Sequence, residues 1–195
     1  MAFNNSYTAV TGATYTASHY NTHTRDNFTA LWVYTTAGDM AYATSSTSLT
    51  RVGIGSAGEK LVSTGSAPTW IDDDFAIEVG IGNGITAITT GVKIAFQVPV
   101  TCEVEGWEIV APLQSGSIVV DVWKDTYANF PPTVADTIAG SEKPTLSSAQ
   151  KGQDASLSTW TTALTKNDWL LFNVESATTV TMVIVSLQCR KTAVS

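Results

Sequence analysis

Apolar residues recur along this chain with three different rhythms. Between residues 17 and 32, Tyr20, Phe28, Leu31 and Trp32 fall at helical spacing, with Asn, Thr, Arg25 and Asp26 between them. The spacing predicts a helix from about Ala17 to Trp32, with Thr16 or Ser18 placed to cap its start. Its apolar stripe is narrow, so such a helix must lie on a neighbour, in its own chain or in another copy. Residues 1–15 mix Asn, Thr, Tyr and Gly and read as extended chain. The first region is therefore 1–34.

From 35 to 74 the rhythm is broken. Apolar residues come in twos and threes divided by Gly and Ser: Met40-Ala-Tyr42, Leu49, Val52, Ile54, Leu61-Val62, Trp70. This pattern predicts very short strands joined by frequent turns. The segment has too few large side chains for a private core, so it must wind against other chains or lie on a larger domain.

From 75 to 195 the period is two. Phe75, Ile77 and Val79 alternate, as do Val92, Ile94, Phe96 and Val98. Val104, Trp107 and Ile109 follow across a break at Gly106, and Ile118, Val120 and Val122 are the even positions of Ser117 to Trp123. Trp169 to Val174 and Val180 to Cys189 are two further strands, which Ser176 to Thr179 is expected to join as a hairpin. The Pro-, Ser- and Ala-rich link from Asp125 to Ser158 reads as a long loop with at most one helical turn near Ala135 to Ala139. The fold class expected is mainly β: an N-terminal helix, a short-strand intertwining segment, and a C-terminal antiparallel β-sandwich of jelly-roll type.

Charge narrows the functions open to such a chain. There are 10 Lys and Arg against 17 Asp and Glu, a formal net charge of -7. Phosphate backbones and anionic lipid both demand the opposite sign, so no nucleic-acid partner and no membrane surface is expected. No stretch approaches the roughly 20 apolar residues of a membrane span, and the first residues lack the pattern of a secretory signal. Ser and Thr fill about a quarter of the chain, which suits strands with hydroxyl-lined surfaces.

Enzyme chemistry is faint, and no enzymatic activity is expected. His19 and His23 stand four apart on the predicted helix, a spacing that can place two imidazoles on one metal, but Tyr20 stands where the zinc-protease pattern needs Glu. They read as a polar or interface pair, and no metal or cofactor is expected. Asp72-Asp73-Asp74 reads as a solvated linker. Gly80 to Gly84 lacks the following helix of a phosphate cradle and reads as a turn. Glu103, Glu105 and Glu108 flank Trp107, and with Asp121 they are the carboxylates on which a glycosidase reading rests. The plainer reading is a solvated sheet face. Cys102 and Cys189 read as two core residues, with one disulfide between neighbouring strands as the alternative.

Aromatic residues offer the best binding surface. Trp123, Tyr127 and Phe130 gather at a strand end and the start of the long link. Sugar rings pack on aromatic planes, and Asp125 and Asn129 are at hand for hydroxyl groups. The alternative is that Trp123 is core and that Tyr127 and Phe130 pin the loop.

The 35–74 segment resembles a motif common in tailed-bacteriophage fibre and appendage proteins. The resemblance is carried by Gly38-Asp39-x-x-Tyr42, Leu49-x-Arg51-x-x-Ile54-Gly55, Gly58-x-x-Leu61 and Gly65-x-x-Pro68-x-Trp70. Asn21 to Asn27 is similar to the N-terminal segment of such proteins. Ser117 to Lys124 and Phe130-Pro-Pro-Thr133 resemble β-sandwich domains at the ends of phage fibres. The resemblance implies a virion structural protein, assembled in the host cytoplasm, that forms a homotrimer and meets other virion proteins through its N-terminus. Tyr20, Phe28, Leu31, Trp32, Tyr42, Leu49, Ile54 and Leu61 are then the candidate attachment and trimerisation residues. One copy of the motif implies a short appendage. Trp123, Asp125, Tyr127, Asn129 and Phe130 become candidates for contact with host-surface carbohydrate. Other readings stay open: a capsid decoration or head-fibre protein without a defined receptor, a glycan-binding module, or a depolymerase.

Overall fold

The computed structural model describes residues 11–46 and 48–192. The expectation of extended chain over residues 1–15 falls largely outside them. The chain divides into two compact units, Met1–Ile71 and Asp72–Ser195.

In the first unit the expected helix is present in three joined pieces. They are α1 (Ala17–Tyr20), a wider π-helical stretch (Asn21–Arg25) and α2 (Asp26–Leu31). Thr16 is the cap: its Oγ1 accepts from the His19 amide at 3.3 Å, and the His19 ring Nδ1 accepts from the Thr16 amide at 3.4 Å. His19 thus serves the helix start, while the side chain of His23 lies outside the described residues. Two short antiparallel pairs follow, β1 (Met40–Ser45) with β2 (Ser48–Val52), and β3 (Glu59–Ser63) with β4 (Pro68–Asp72).

Among its described residues the second unit holds nine strands: β5 (Asp74–Gly82), β6 (Gly91–Gln97), β7 (Cys102–Val110), β8 (Gly116–Asp125), β9 (Thr145–Ala149), β10 (Lys151–Asp154), β11 (Ala163–Leu164), β12 (Trp169–Thr178) and β13 (Met182–Lys191). One sheet runs β10-β7-β13-β5, with the two-residue β11 also on β7; the other runs β6-β12-β8-β9. Setting β11 aside, the first strand pairs with the last, the second with the next to last, and so inward: β5 with β13, β6 with β12, β7 with β10, β8 with β9. This nesting, folded over into two sheets, is the jelly roll.

The alternation in the sequence is the core. Ile77, Val79 and Ile81 of β5, Ile118, Val120 and Val122 of β8, Leu170, Phe172 and Val174 of β12, and Val183, Val185 and Leu187 of β13 all point between the sheets and are buried. The break at Gly106 has a local cause. Gln188 stands opposite Gly106 but Cys189 opposite Val104, so Glu105 is an extra residue in β7 and both Val104 and Trp107 face inward.

Two expectations are corrected. Ser176 to Thr179 does not close a hairpin: β12 and β13 lie in different sheets, and the chain arches between them over the end of the core. The link from Asp125 to Ser158 is not one long loop. It contains β9 and β10, the edge strands of the two sheets, and short 3₁₀ turns at Tyr127–Asn129 and Val134–Asp136.

Strand direction gives the jelly roll a base and a far end. β5 starts at Asp74 and runs nine residues to Gly82, roughly 30 Å away. Arg190 pairs with Asp74, and Glu103 with Arg190, so β13 ends and β7 starts at the base. Trp169, Gln97 and Asp125 are cross-strand neighbours. They belong to the base as well, since the Lys166 amide just before β12 donates to Oγ1 of Thr101, the residue before β7, at 3.1 Å. The far end is made of the connections 83–90, 111–115 and 179–181 and the turn at Gln150. There the Gly84 amide donates to the Thr181 carbonyl at 3.0 Å and the Ile88 amide to the Val180 carbonyl at 2.9 Å.

Candidate functional site

The first unit is held by polar wiring. Asp39 accepts from the amides of Thr35 (2.7 Å) and Thr36 (2.8 Å) and takes both Nε and Nη2 of Arg51, at 2.6 and 2.9 Å. The Arg51 guanidinium, aided by those amides, holds the Asp39 carboxyl well below the usual carboxylate range. Gly38 before it has φ +89°, and a Cβ there would stand 2.5 Å from Cδ1 of Ile54. Trp70 donates its indole N–H to the Gly53 carbonyl at 2.7 Å and lays its ring on Gly55, where a Cβ would come within 2.4 Å of Cδ2. Gly38, Asp39, Arg51, Gly55 and Trp70 therefore have physical reasons to occur together.

That wiring encloses almost no oil. Val52 is the one buried apolar side chain among the described residues of Met1–Ile71. Of the candidate attachment residues, Phe28 is 71% exposed and Trp32 76%, Tyr20, Ile54 and Leu61 are also exposed, and Tyr42 and Leu49 are half-buried. Leu31 ends α2, and its side chain lies outside the described residues.

On the jelly roll, Trp123 and Asp125 sit on the outer face of β8, beside Leu171 and Trp169 of β12. The 126–143 segment crosses this face. It is fastened to Asp121, a fully buried carboxylate that accepts from Thr137 Oγ1 (2.6 Å), Trp123 Nε1 (2.9 Å) and the Val122 amide (2.9 Å). Lys143 Nζ reaches Asp121 at 3.1 Å and also pairs with Glu175. Burial works against the Lys143 charge, but the two carboxylates outweigh it and raise its pKa. Trp123 is half-buried beneath this segment.

Asp125 accepts from Asn129 Nδ2 (3.0 Å) and the Thr126 amide (2.7 Å), which closes the turn that carries Tyr127. Asn129, and then that amide, lower the Asp125 pKa. Phe130 meets Trp169 edge to face, with ring centroids 5.3 Å apart. Tyr127 and Phe130 present their rings to solvent, and so does Val134 its isopropyl group. The indole N–H of Trp169 is buried without a hydrogen-bond partner. All five sequence candidates thus share the base of one sheet. Asp121 shares their face of β8, two residues before Trp123, and Thr137, Lys143, Val134 and Trp169 join them through the fold.

The carboxylates of the glycosidase reading are divided between the two sheets. Glu103 and Glu105 lie on the five-stranded sheet and both bind Arg190, whereas Asp121 lies on the four-stranded one. Trp107 and Trp160 are buried and donate their indole N–H groups to the Glu142 carbonyl, at 2.9 and 3.0 Å. Among the described residues no three His, Cys, Asp or Glu side chains gather as a metal site, and no described helix is long and apolar enough to cross a membrane. Compared with protein-family models, curated proteins and solved structures, the chain matches none.

Proposed function

We propose that this chain is a bacteriophage virion structural protein that assembles through Met1–Ile71 into a short homotrimeric appendage and presents the jelly roll as its outward domain. The observation that carries the reading is the contrast between a wired first unit, in which Val52 is the one buried apolar side chain among the described residues, and its many exposed large apolar side chains. A chain organised this way gains its missing burial from other copies, at about 25 cal/mol per Å² of apolar surface. The number three and the virion setting come from the resemblance of the Gly38 to Trp70 segment to phage fibre proteins. The exposed rings of Tyr127 and Phe130 are the surface offered to host glycan.

Light scattering on the full chain tests the assembly. The expected mass is that of three chains, falling to one when residues 1–71 are removed; a monomer at every concentration overturns the reading. Replacing Tyr127 and Phe130 with Ala tests the glycan surface. Unchanged adsorption of the particle to host cells rejects that site and leaves the assembly reading standing.

A further inference from the structure

At the far end of the jelly roll, the 83–90 connection forms a small cleft with the end of β5 and the start of β6. Ile81 and Ile88, both buried, are its apolar side, and Asn83, Thr86, Thr89 and Lys93 are its polar side. Its volume of about 200 Å³ is too small for a drug-sized molecule and suits a single ring. A bulge brings Lys93 there. Phe172 of β12 stands opposite Ile94 and Asn173 opposite Val92, so Lys93 is an extra residue turned out of the ladder. Its Nζ donates to Thr89 Oγ1 at 3.0 Å and to the Thr90 carbonyl at 2.9 Å. An ammonium carries three donors, and the third has no partner among the described residues. Asn83 Oδ1 accepts from the amides of Ile85 and Thr86, each at 2.9 Å, and from Thr86 Oγ1 at 3.2 Å. That fixes its Nδ2 as a donor the turn does not use.

The charge around Lys93 is distinctive in a chain of net charge -7. Lys124, Lys143, Arg190 and Lys191 of the same unit each pair with a carboxylate. Among the described residues Lys93, Lys151 and Lys166 do not; Lys151 and Lys166 are exposed, whereas Lys93 is half-buried. The 83–90 connection carries no acidic residue. Glu175, next to the β12 partner of Gly91, is taken by Lys143. Lys93 is thus a cation held in place by neutral oxygens, with one donor to spare.

We propose that this cleft binds the carboxylate-bearing ring of an acidic sugar, such as a uronic acid residue of a polysaccharide. The spare N–H of Lys93 donates a charge-assisted hydrogen bond to one carboxylate oxygen. Asn83 Nδ2 and the Thr86 hydroxyl lie in the same cleft for ring hydroxyl groups, and the apolar side takes the C–H face of the ring. One ammonium with one free donor matches a single negative charge. A phosphate dianion favours several donors or the bidentate fork of Arg, and no Arg lines the cleft. The site lies at the opposite end of the jelly roll from Tyr127 and Phe130, and it does not rest on the appendage reading.

Isotope-labelled full-length protein is titrated at neutral pH with the methyl glycosides of glucuronic and galacturonic acid, and with the matching neutral glucoside and galactoside. A uronide should shift the amide resonances of residues 83–93 and bind with a dissociation constant of about 1–10 mM, the range open to a ligand of this size. The neutral glycosides should bind at least about tenfold more weakly, and Lys93→Gln should weaken the uronide by a similar factor. Lys93→Arg keeps the charge and should keep most of the binding, while Lys151→Gln should leave it unchanged. If Lys93→Gln fails to fold, Thr89→Glu, at an exposed position, sets a carboxylate beside Lys93 and should abolish binding in its place. Neutral glycosides that bind equally well, a Lys93→Gln protein that binds as before, shifts that map to the base, inorganic phosphate that binds more tightly than either uronide, or no uronide binding at tens of millimolar would each overturn the proposal. None of these outcomes bears on the trimer mass or on the Tyr127 and Phe130 surface.

Discussion

The two units of this chain are stabilised by opposite means. Asp72–Ser195 has a continuous apolar core between two sheets, and its polar devices, such as Asp121 with Lys143, fasten a segment onto a body already packed. Met1–Ile71 has the polar devices without the body: Asp39 gathers five donors, Trp70 is pinned to Gly53, and Val52 alone among its described apolar side chains is buried. Hydrogen bonds fix a shape but add little net stability, because water offers the same bonds to the unfolded chain. Apolar burial makes a domain independent, and a shape without it depends on company.

That contrast can be broken from either side. The largest effect belongs to Phe172→Ala in the fully buried core, which should cost about 3–5 kcal/mol in denaturant unfolding of residues 72–195. Gly55→Ala should leave that unfolding curve unchanged. It forces the Trp70 ring aside and should raise the concentration needed for assembly about tenfold or more, read by light scattering.

Acid sharpens the same point. The Asp39 carboxyl is depressed in the folded state, so its contribution is complete above the unfolded carboxylate pKa and is lost progressively as pH falls from there through the lowered value. Assembly should therefore weaken as pH falls below the ordinary carboxylate range, whereas Asp39→Asn should weaken assembly already at neutral pH. Thr137→Val removes one hydrogen bond to Asp121 and should cost about 1 kcal/mol of the second unit's stability. Tyr127→Ala, at a position 75% exposed, should change stability by less than about 0.5 kcal/mol. A larger loss would mean that Tyr127 is part of the fold.

The long strands were legible because each buries one face, and a buried face writes itself as alternation. β9 and β10 were not, since Leu146 is the one deeply buried apolar side chain they contribute and, Ala149 and Gly152 apart, the rest of these edge strands is polar. The arch after β12 was misread for another reason. Turn residues announce that the chain reverses but not which sheet receives it, and Ser176 to Thr179 looks the same in a hairpin and in a crossover. At the candidate site, Trp123, Tyr127 and Phe130 were visible as local spacing. The pairing of Phe130 with Trp169, and of Asp121 with Lys143, joins residues far apart in sequence and needs the nested topology to exist. Asp121 sits at an alternating position that reads as solvent-facing, and its burial comes from a segment that folds back over it.

The direction of β5 has a consequence for how the domain tolerates change. The chain joins the jelly roll at Asp74 and β13 finishes at Lys191, both at the base. The connections 83–90, 111–115 and 179–181 carry no Asp or Glu, and Ile85, 84% exposed, packs into nothing. Loop closure grows costlier only slowly with length, so a foreign peptide spliced after Ile85 should be carried at that end with the core and both chain connections undisturbed. The far end is thus the natural ground for sequence variation and a ready platform for display.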